Sequence, residues 1–380
     1  MMQDKLERIP EYIHYMARDA QGRRDAAAVK TRRPLWLVSE RSYDAQDNGF
    51  VFFQYMTEKH PEIETYYLIG KNDPDYWKVY AVSGRIIEPG SREHYMAMYY
   101  ASALISTHTF GFTPDMTAYY HLAQKGLFHP KGVNVFLQHG VLDKKTGWLS
   151  ADHYHPDLMT VSALPEYEYA LNGLKQPEPV LMPAGLCRYD NLVHAGHEKT
   201  ILVFPTWRKW LSGCSTEEFR RSGFFRSWCR FLSLPVWKGL PDGWRIVVAL
   251  HPEMAKYIKE FPSGGKIETT GHPDIPELVR ESSVLVTDYS SVYLDFVYQD
   301  KPVVFYQFDK GRFTKDHYSG LLFDQVQFGP VSADPQGTAA NALMAVRGEQ
   351  QERTGKFFFY HDDKNCERTY ECIRKAALSR

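Results

Sequence analysis

SVLVTDYSSVYLDFVYQDKPVVFYQFD, residues 283–309, is the stretch that decides the fold. It opens on an apolar run, SVLVTDYSS (283–291), and closes on another, KPVVFYQFD (301–309). Val292, Leu294, Phe296 and Val297, between the runs, are spaced as the core side of a helix. A strand buried on both faces reads as a continuous apolar run, and a helical stretch between two such runs is the crossover of a parallel sheet. The same alternation extends outward toward the N-terminus. There the runs are PLWLVSE (34–40), ETYYLIG (64–70), GRIIEP (84–89), ALISTH (103–108), VNVFLQHG (133–140), DLMTVSA (157–163), PVLMPAG (179–185), TILVFPT (200–206) and WRIVVALHP (244–252). The expectation is an α/β protein of two doubly wound domains. They take residues 34–195 and 196–365, and a last helix, about 366–378 within 366–380, is free to cross back.

Length and composition agree with two domains. The chain has 380 residues, against roughly 100–200 per domain. Its formal charge is −1, which argues against nucleic acid as a partner. Apolar residues are 43%, enough for sizeable cores, and no apolar run approaches the roughly 18–20 residues of a membrane span. Five cysteines, odd in number and never spaced CxxC, read as reduced thiols of a cytosolic protein. No two glycines are spaced G-x-G and GGKIE lacks the rest of a P-loop, so dehydrogenase and P-loop ATPase readings fall. Six of the fifteen histidines lie between His108 and His155, but their spacing matches no zinc signature. G-x-S-x-G is absent, which removes a nucleophile-elbow hydrolase.

Residues 1–33 carry Leu6, Ile9, Ile13 and Met16 at helical spacing, with eight basic and five acidic residues. Such an amphipathic segment either packs on the body or lies on an anionic membrane. A second stretch, 219–240, interleaves Arg220, Arg221, Arg226, Arg230 and Lys238 with Phe224, Phe225, Trp228, Phe231 and Trp237. It is either a membrane-facing patch or a crossover helix whose aromatics are core.

In open parallel sheets ligands bind beyond the carboxyl ends of strands. Four runs end there in unusual polar groups. VNVFLQHG places His139 and Gly140 past a strand, with Asp143, Lys144 and Lys145 following. An imidazole there is either a general base or a histidine satisfied in its loop. WRIVVALHP puts His251 before Pro252, which fixes the turn. Thr287, Asp288, Ser290 and Ser291 stand between a strand and a helix, as ordinary caps or as an anion site of N–H groups and hydroxyls. Thr206 and Arg208 follow LVFPTWRKW's strand; the arginine is suited to a bidentate phosphate contact or simply lies on the surface.

Together LQHG followed by the lysine pair, FPTWR, LHP, the 283–309 stretch, HDDKNCERTYECI and the early YDAQDNGFVFFQYM resemble the CDP-glycerol glycerophosphotransferases of teichoic-acid and capsule synthesis, over most of residues 34–378. The resemblance implies a GT-B architecture of two Rossmann-like domains with the donor in the interdomain cleft. It implies transfer of glycerol phosphate, or a related polyol phosphate, from a CDP-linked donor to a hydroxyl of a lipid-linked saccharide or polymer. CMP would be released at the inner face of the cell membrane, by a cytoplasmic, peripherally attached enzyme. His139 would be the base and His251 would contact the donor diphosphate. Ser290 and Ser291 would hold its phosphates, with Gly140, Thr206, Arg208, Thr287 and Asp288 on the donor side. Gln138, Lys144 and Lys145 would contact acceptor or phosphate. No resident metal or cofactor is implied, though a loosely bound divalent cation is compatible. The family often has Trp-His-Gly-Thr-Pro where this chain has Gln138-His139-Gly140-Val141-Leu142, which keeps the base and changes its neighbours. The rival reading is a GT-B glycosyltransferase using a nucleotide-diphosphate sugar.

Overall fold

The structure is a computed structural model that describes residues 9–29, 34–41, 44–123, 130–193, 196–271, 274–317, 322–323, 328–349 and 357–379. The chain divides into two compact units. Unit 1 is Met1–His139, Trp148–Asp190 and Asp362–Arg380; unit 2 is Gly140–Gly147 and Asn191–His361.

Unit 1 is built on seven strands: β1 (Leu35–Ser39), β2 (Glu64–Leu68), β3 (Ile86–Ile87), β4 (Ala103–Ser106), β5 (Val133–Phe136), β6 (Leu158–Thr160) and β7 (Leu181–Met182). All pair in parallel in the order β3-β2-β1-β4-β5-β6-β7, so the chain reverses direction across the sheet at β1 and β4. Alternation along β1 feeds both faces. Trp36 and Val38 pack with Phe52, Phe53 and Met56 of the helix Asn48–Lys59. Leu35 and Leu37 pack with Tyr95 and Met98 of the helix Arg92–Tyr100. The last helix, Asn365–Leu378, belongs to this unit. Asp190 accepts from the N–H groups of Asn365 at 2.7 Å and Cys366 at 2.8 Å, and Cys366, Tyr370 and Ile373 enter the core beside Trp36. A carboxylate at a helix start meets both the orphan donors and the dipole.

The helix Ile9–Ala28 packs by a stripe different from the one its sequence suggests. Tyr15, Asp19, Gly22 and Ala26 are the buried positions, and a Cβ at Gly22 would collide with the Tyr95 backbone at 2.6 Å. Ile13 and Met16 are 63% and 41% exposed. A glycine and a tyrosine–carboxylate contact (Tyr99 to Asp19, 2.5 Å) set the face, which hydrophobic spacing alone does not reveal. Leu6 and the basic residues Lys30, Arg32 and Arg33 lie outside the described residues.

Unit 2 carries six strands: β8 (Glu198–Phe204), β9 (Arg245–Ala249), β10 (Ile267–Thr270), β11 (Ser282–Thr287), β12 (Val303–Tyr306) and β13 (Val331–Ser332). They are parallel in the order β10-β9-β8-β11-β12-β13, with the reversal at β8 and β11. Each apolar run read from the sequence contains one strand. The two unread strands are short edge strands, and IETT of β10 is half-exposed, so neither leaves an apolar run. The 219–240 aromatics belong to the interior: Phe224, Trp228, Phe231 and Trp237 are buried in this unit's core, and the Trp237 indole N–H donates to the Phe231 carbonyl at 2.6 Å. The membrane-patch alternative is thereby corrected: the helix Gly223–Leu232 turns its rings inward. Of the arginines, Arg220 pairs with Glu260 and Arg221 with Glu217.

Candidate functional site

In unit 1 the polar groups gather where β1, β4 and β5 end, beside the reversal of strand order. Gln138, just past β5, has φ +59, in the left-handed region that costs a non-glycine residue about 1–3 kcal/mol. What holds it there is visible. The buried Gln138 amide donates to the Thr160 carbonyl and to Glu166, and its own carbonyl accepts from Asn48 Nδ2 at 2.9 Å. The next carbonyl, that of His139, accepts from Arg188 Nη1 at 2.7 Å, and the same nitrogen pairs with Asp47 at 2.9 Å. The backbone is thus pinned on both sides of the turn and the exposed His139 side chain is aimed outward. Gln138 itself is corrected from a substrate contact to the buried anchor of this turn.

His139 stacks on His108, at the end of β4, with ring centroids 5.5 Å apart and planes 14° apart. His108 accepts at Nε2 from Arg41 Nε (3.3 Å) and faces the Thr107 hydroxyl at Nδ1 (3.0 Å). Burial first, then the His139 and Arg41 charges, push its pKa down to about 3. His108 carried no role in the sequence reading; its strand-end position was the available signal.

Gly140, Lys144 and Lys145 belong to the segment that packs with unit 2. Lys144 is buried and pairs with Asp143 at 2.7 Å, so it is corrected from a phosphate contact to half of an internal ion pair. Burial raises Asp143, and Lys144 opposes that. Lys145 is exposed.

At the reversal point of unit 2, Arg208 is the hub. Its side chain is 0% exposed, as is that of Asp288. Nη2 donates to Asp288 at 2.7 Å, Nε and Nη2 to Asp309 at 3.0 Å each, and Nη1 to the Thr206 carbonyl at 2.6 Å. Phe224, Phe313 and Tyr289 place their rings 4.9, 5.0 and 5.2 Å from the guanidinium carbon. No face is left for a bidentate phosphate, and that expectation is corrected. Asp288 likewise faces inward: besides Arg208 it accepts from the N–H groups of Thr206 at 2.8 Å and Tyr289 at 2.6 Å, rather than capping the following helix. Thr287 spends its hydroxyl on the Phe204 carbonyl at 2.6 Å. The group ties β8 to β11 and sets the loop that follows. That loop presents Ser290 and Ser291, both half-buried, ahead of the helix Tyr293–Tyr298.

His251 follows β9. Its Nδ1 accepts from the Glu253 N–H at 3.3 Å, and its ring stacks on Trp207 at 6.1 Å. Trp207 also meets His317 edge-on at 4.7 Å. His317 accepts at Nδ1 from the Lys209 N–H at 3.1 Å, and burial, with Arg208, Lys144 and Lys209 nearby, pushes it down to about 4. Both imidazoles therefore turn Nδ1 to the main chain, so a neutral ring carries its proton on Nε2. His317 was not foreseen, since it reaches Lys209 across 108 residues of chain. Among the described residues no group of three or more His, Cys, Asp or Glu side chains is arranged to hold a metal.

Residues 23–375 match the family described as CDP-Glycerol:Poly(glycerophosphate) glycerophosphotransferase. The chain belongs to this family. Among relatives of this glycerophosphotransferase family, the minor teichoic acid biosynthesis protein GgaB of Bacillus subtilis (strain 168) is 26% identical over 366 residues, covering 91% of this chain and 40% of that protein. The teichoic acid glycerol-phosphate transferase of Staphylococcus aureus (strain NCTC 8325 / PS 47) is 30% identical over 127 residues, 33% of this chain and 30% of that one. The chain thus spans less than half the length of these curated relatives. A variant of the wall teichoic acid polymerase TagF, solved after a soak with CDPG, superposes with a TM-score of 0.66 at 14% identity, covering 99% of this chain and 98% of that one. The fold is that of the family, two Rossmann-like domains of the GT-B class.

Proposed function

We propose that the chain transfers glycerol phosphate, or a closely related polyol phosphate, from a CDP-linked donor to a hydroxyl of a lipid-linked saccharide or growing polymer in teichoic-acid or capsule synthesis, releasing CMP. The observation that carries this reading is His139: an exposed imidazole in the LQHG motif of a glycerophosphotransferase-family chain, on a main chain pinned by Asn48 and Arg188. His139 takes the proton of the acceptor hydroxyl as its oxygen attacks the phosphorus that bears the polyol. The bond from that phosphorus to the bridging oxygen breaks, and CMP leaves with the electron pair. In-line transfer of this kind asks the protein for position and charge rather than covalent chemistry. Unit 2 carries the donor-side groups: the Nε2–H of His251, the hydroxyls of Ser290 and Ser291, and the main chain about Gly140, while the Thr206 N–H is held by Asp288. Lys145 stands ready for the acceptor's or donor's phosphate. Arg208, Asp288, Thr287, Gln138 and Lys144 act behind these groups by holding them. The reading calls for no resident cofactor and is compatible with a loosely held divalent cation.

The acceptor is met at the cytoplasmic face of the membrane by peripheral attachment. Among the described residues no helix is long and apolar enough to cross a membrane, and the helix Ile9–Ala28 exposes Ile13 and Met16. Sedimentation with anionic vesicles at low and high salt tests the attachment; protein that stays in the supernatant at low salt refutes it. The activity is tested by incubating the protein with CDP-glycerol, CDP-ribitol and UDP-sugars and a lipid-linked saccharide. CMP with a new phosphodiester is expected; UDP with a new glycosidic bond would replace the reading by glycosyl transfer.

A further inference from the structure

The His108–His139 stack goes beyond a base with a neighbour. Each end of β1, β4 and β5 contributes one member of a small array: Arg41, His108 and His139. These three strands lie side by side across the point where the strand order reverses, so residues 67 and 31 positions apart in the chain share one rim of the sheet.

The hydrogen bonds of His108 settle where its proton sits. Arginine always donates, so the Arg41 Nε–H at 3.3 Å requires a bare Nε2. The ring proton then lies on Nδ1 and points at the Thr107 hydroxyl, 3.0 Å away. The His108 backbone is fixed as well, its N–H donating to Ser106 Oγ at 3.1 Å. An imidazolium at this position would put an N–H against the guanidinium. His108 is therefore a flat, oriented ring that is closed to a second proton, and His139 lies almost parallel to it at 5.5 Å. Aromatic faces at such distances hold each other's plane. Among the described residues of unit 1, charged groups about this array include Arg188, bonded to the His139 carbonyl, its partner Asp47, and Asp44, which with Asp47 acts on Arg41.

We propose that His108 is a positioning residue for His139: clamped by Arg41 and Thr107, it sets the plane of the His139 ring and leaves the proton taken from the acceptor on His139 alone. The proposal rests on the assignment of His139 as the base. It excludes a two-histidine relay, because the second ring has no nitrogen to offer.

Three substitutions separate the possibilities. His108→Phe keeps a flat ring in the stack without nitrogens. His108→Gln keeps a polar partner for Arg41 without the ring, and His108→Ala removes both. Each is assayed for CMP release at saturating donor beside His139→Ala. A loosened base is expected to cost about ten- to a hundredfold in kcat for His108→Ala and His108→Gln with donor KM unchanged, while His108→Phe, which keeps the stacked ring but loses the Arg41 and Thr107 clamp, falls between these and the wild type. His108→Phe as slow as His108→Ala would show that a flat ring beside His139 does not set its plane and would overturn the proposal. Wild-type rates in His108→Ala and His108→Gln would overturn it equally. If His139→Ala keeps full turnover, the base assignment itself falls, which is a separate result. Imidazole NMR of the full chain provides a readout independent of turnover. His108 should remain the neutral Nδ1–H form at pH 5, given a pKa pushed down to about 3. An imidazolium there at pH 6 would overturn the proposal even if the transfer activity is as described.

Discussion

Replacing Arg208 by methionine tests whether the conspicuous arginine of FPTWR touches phosphate or holds the fold. In the structure the guanidinium spans Asp288, Asp309 and the Thr206 carbonyl with four hydrogen bonds, inside a ring of aromatic side chains. Methionine fills a similar volume and leaves the wholly buried Asp288 with its charge uncompensated. Removing one partner of a buried ion pair costs about 3–5 kcal/mol. For a unit of roughly 180 residues, each kcal/mol lowers the melting temperature by about 2–4 °C, so the expected loss is about 6–20 °C. Scanning calorimetry of the wild type and Arg208→Met reads this directly. Adding Asp288→Asn removes the orphaned charge, and the double variant should recover part of the loss, as contacting residues do not add independently. CMP titration at a temperature where both proteins are folded completes the assay. A side chain that binds phosphate would give the opposite pattern: unchanged melting and lost CMP affinity. That pattern would refute the scaffold role.

Three further outcomes are expected. The variant Ser290→Ala/Ser291→Ala, and separately His251→Ala, should weaken CMP binding and slow transfer together, because donors to the phosphates act in ground and transition states alike; wild-type CMP affinity in both, read by calorimetric titration, would remove them from the donor site. His94 is buried, with Nδ1 accepting from the Gly90 N–H at 3.0 Å and Nε2 bonded to the Phe112 carbonyl at 2.9 Å, and burial pushes its pKa down to about 4. The unfolded chain takes this proton first, so its contribution is complete above about pH 6.5 and is lost as pH falls toward 4, a drop of about 3 kcal/mol; urea melts from pH 7.5 to 4.5 should show a shallower acid limb in His94→Leu, and an unchanged limb would contradict the assignment. Chelation with EDTA should leave CMP release unchanged, since side chains and N–H groups meet the phosphate charge in the proposed mechanism; activity lost to EDTA and restored by Mg²⁺ would add a bound cation to it.

Local patterning was enough for the class of fold and the addresses of the chemistry. Continuous apolar runs such as TILVFPT and SVLVTDYSS bury on both faces wherever they go, so eleven runs mark eleven parallel strands with local information alone. The edge strand IETT escaped because an edge position demands no such run. The strand-end histidines were legible for the same reason: a polar ring after a buried run must emerge at the rim of the sheet. Which polar groups at that rim face outward depends on long-range contacts. Arg208 looks like a phosphate fork in its own sequence, but Asp288 and Asp309, 80 and 101 residues away, claim it. Lys144 and Lys145 are chemically alike and adjacent, yet one is sealed with Asp143 and the other is exposed. Gln138 serves its turn through Thr160 and Glu166, and His108 acquires a role only because β4 lies beside β5. Hydrophobic periodicity is a local property and fixes which segments are buried. Whether a charge is spent inside the protein or offered to a ligand depends on partners brought together by closure of the sheet, and that closure is non-local.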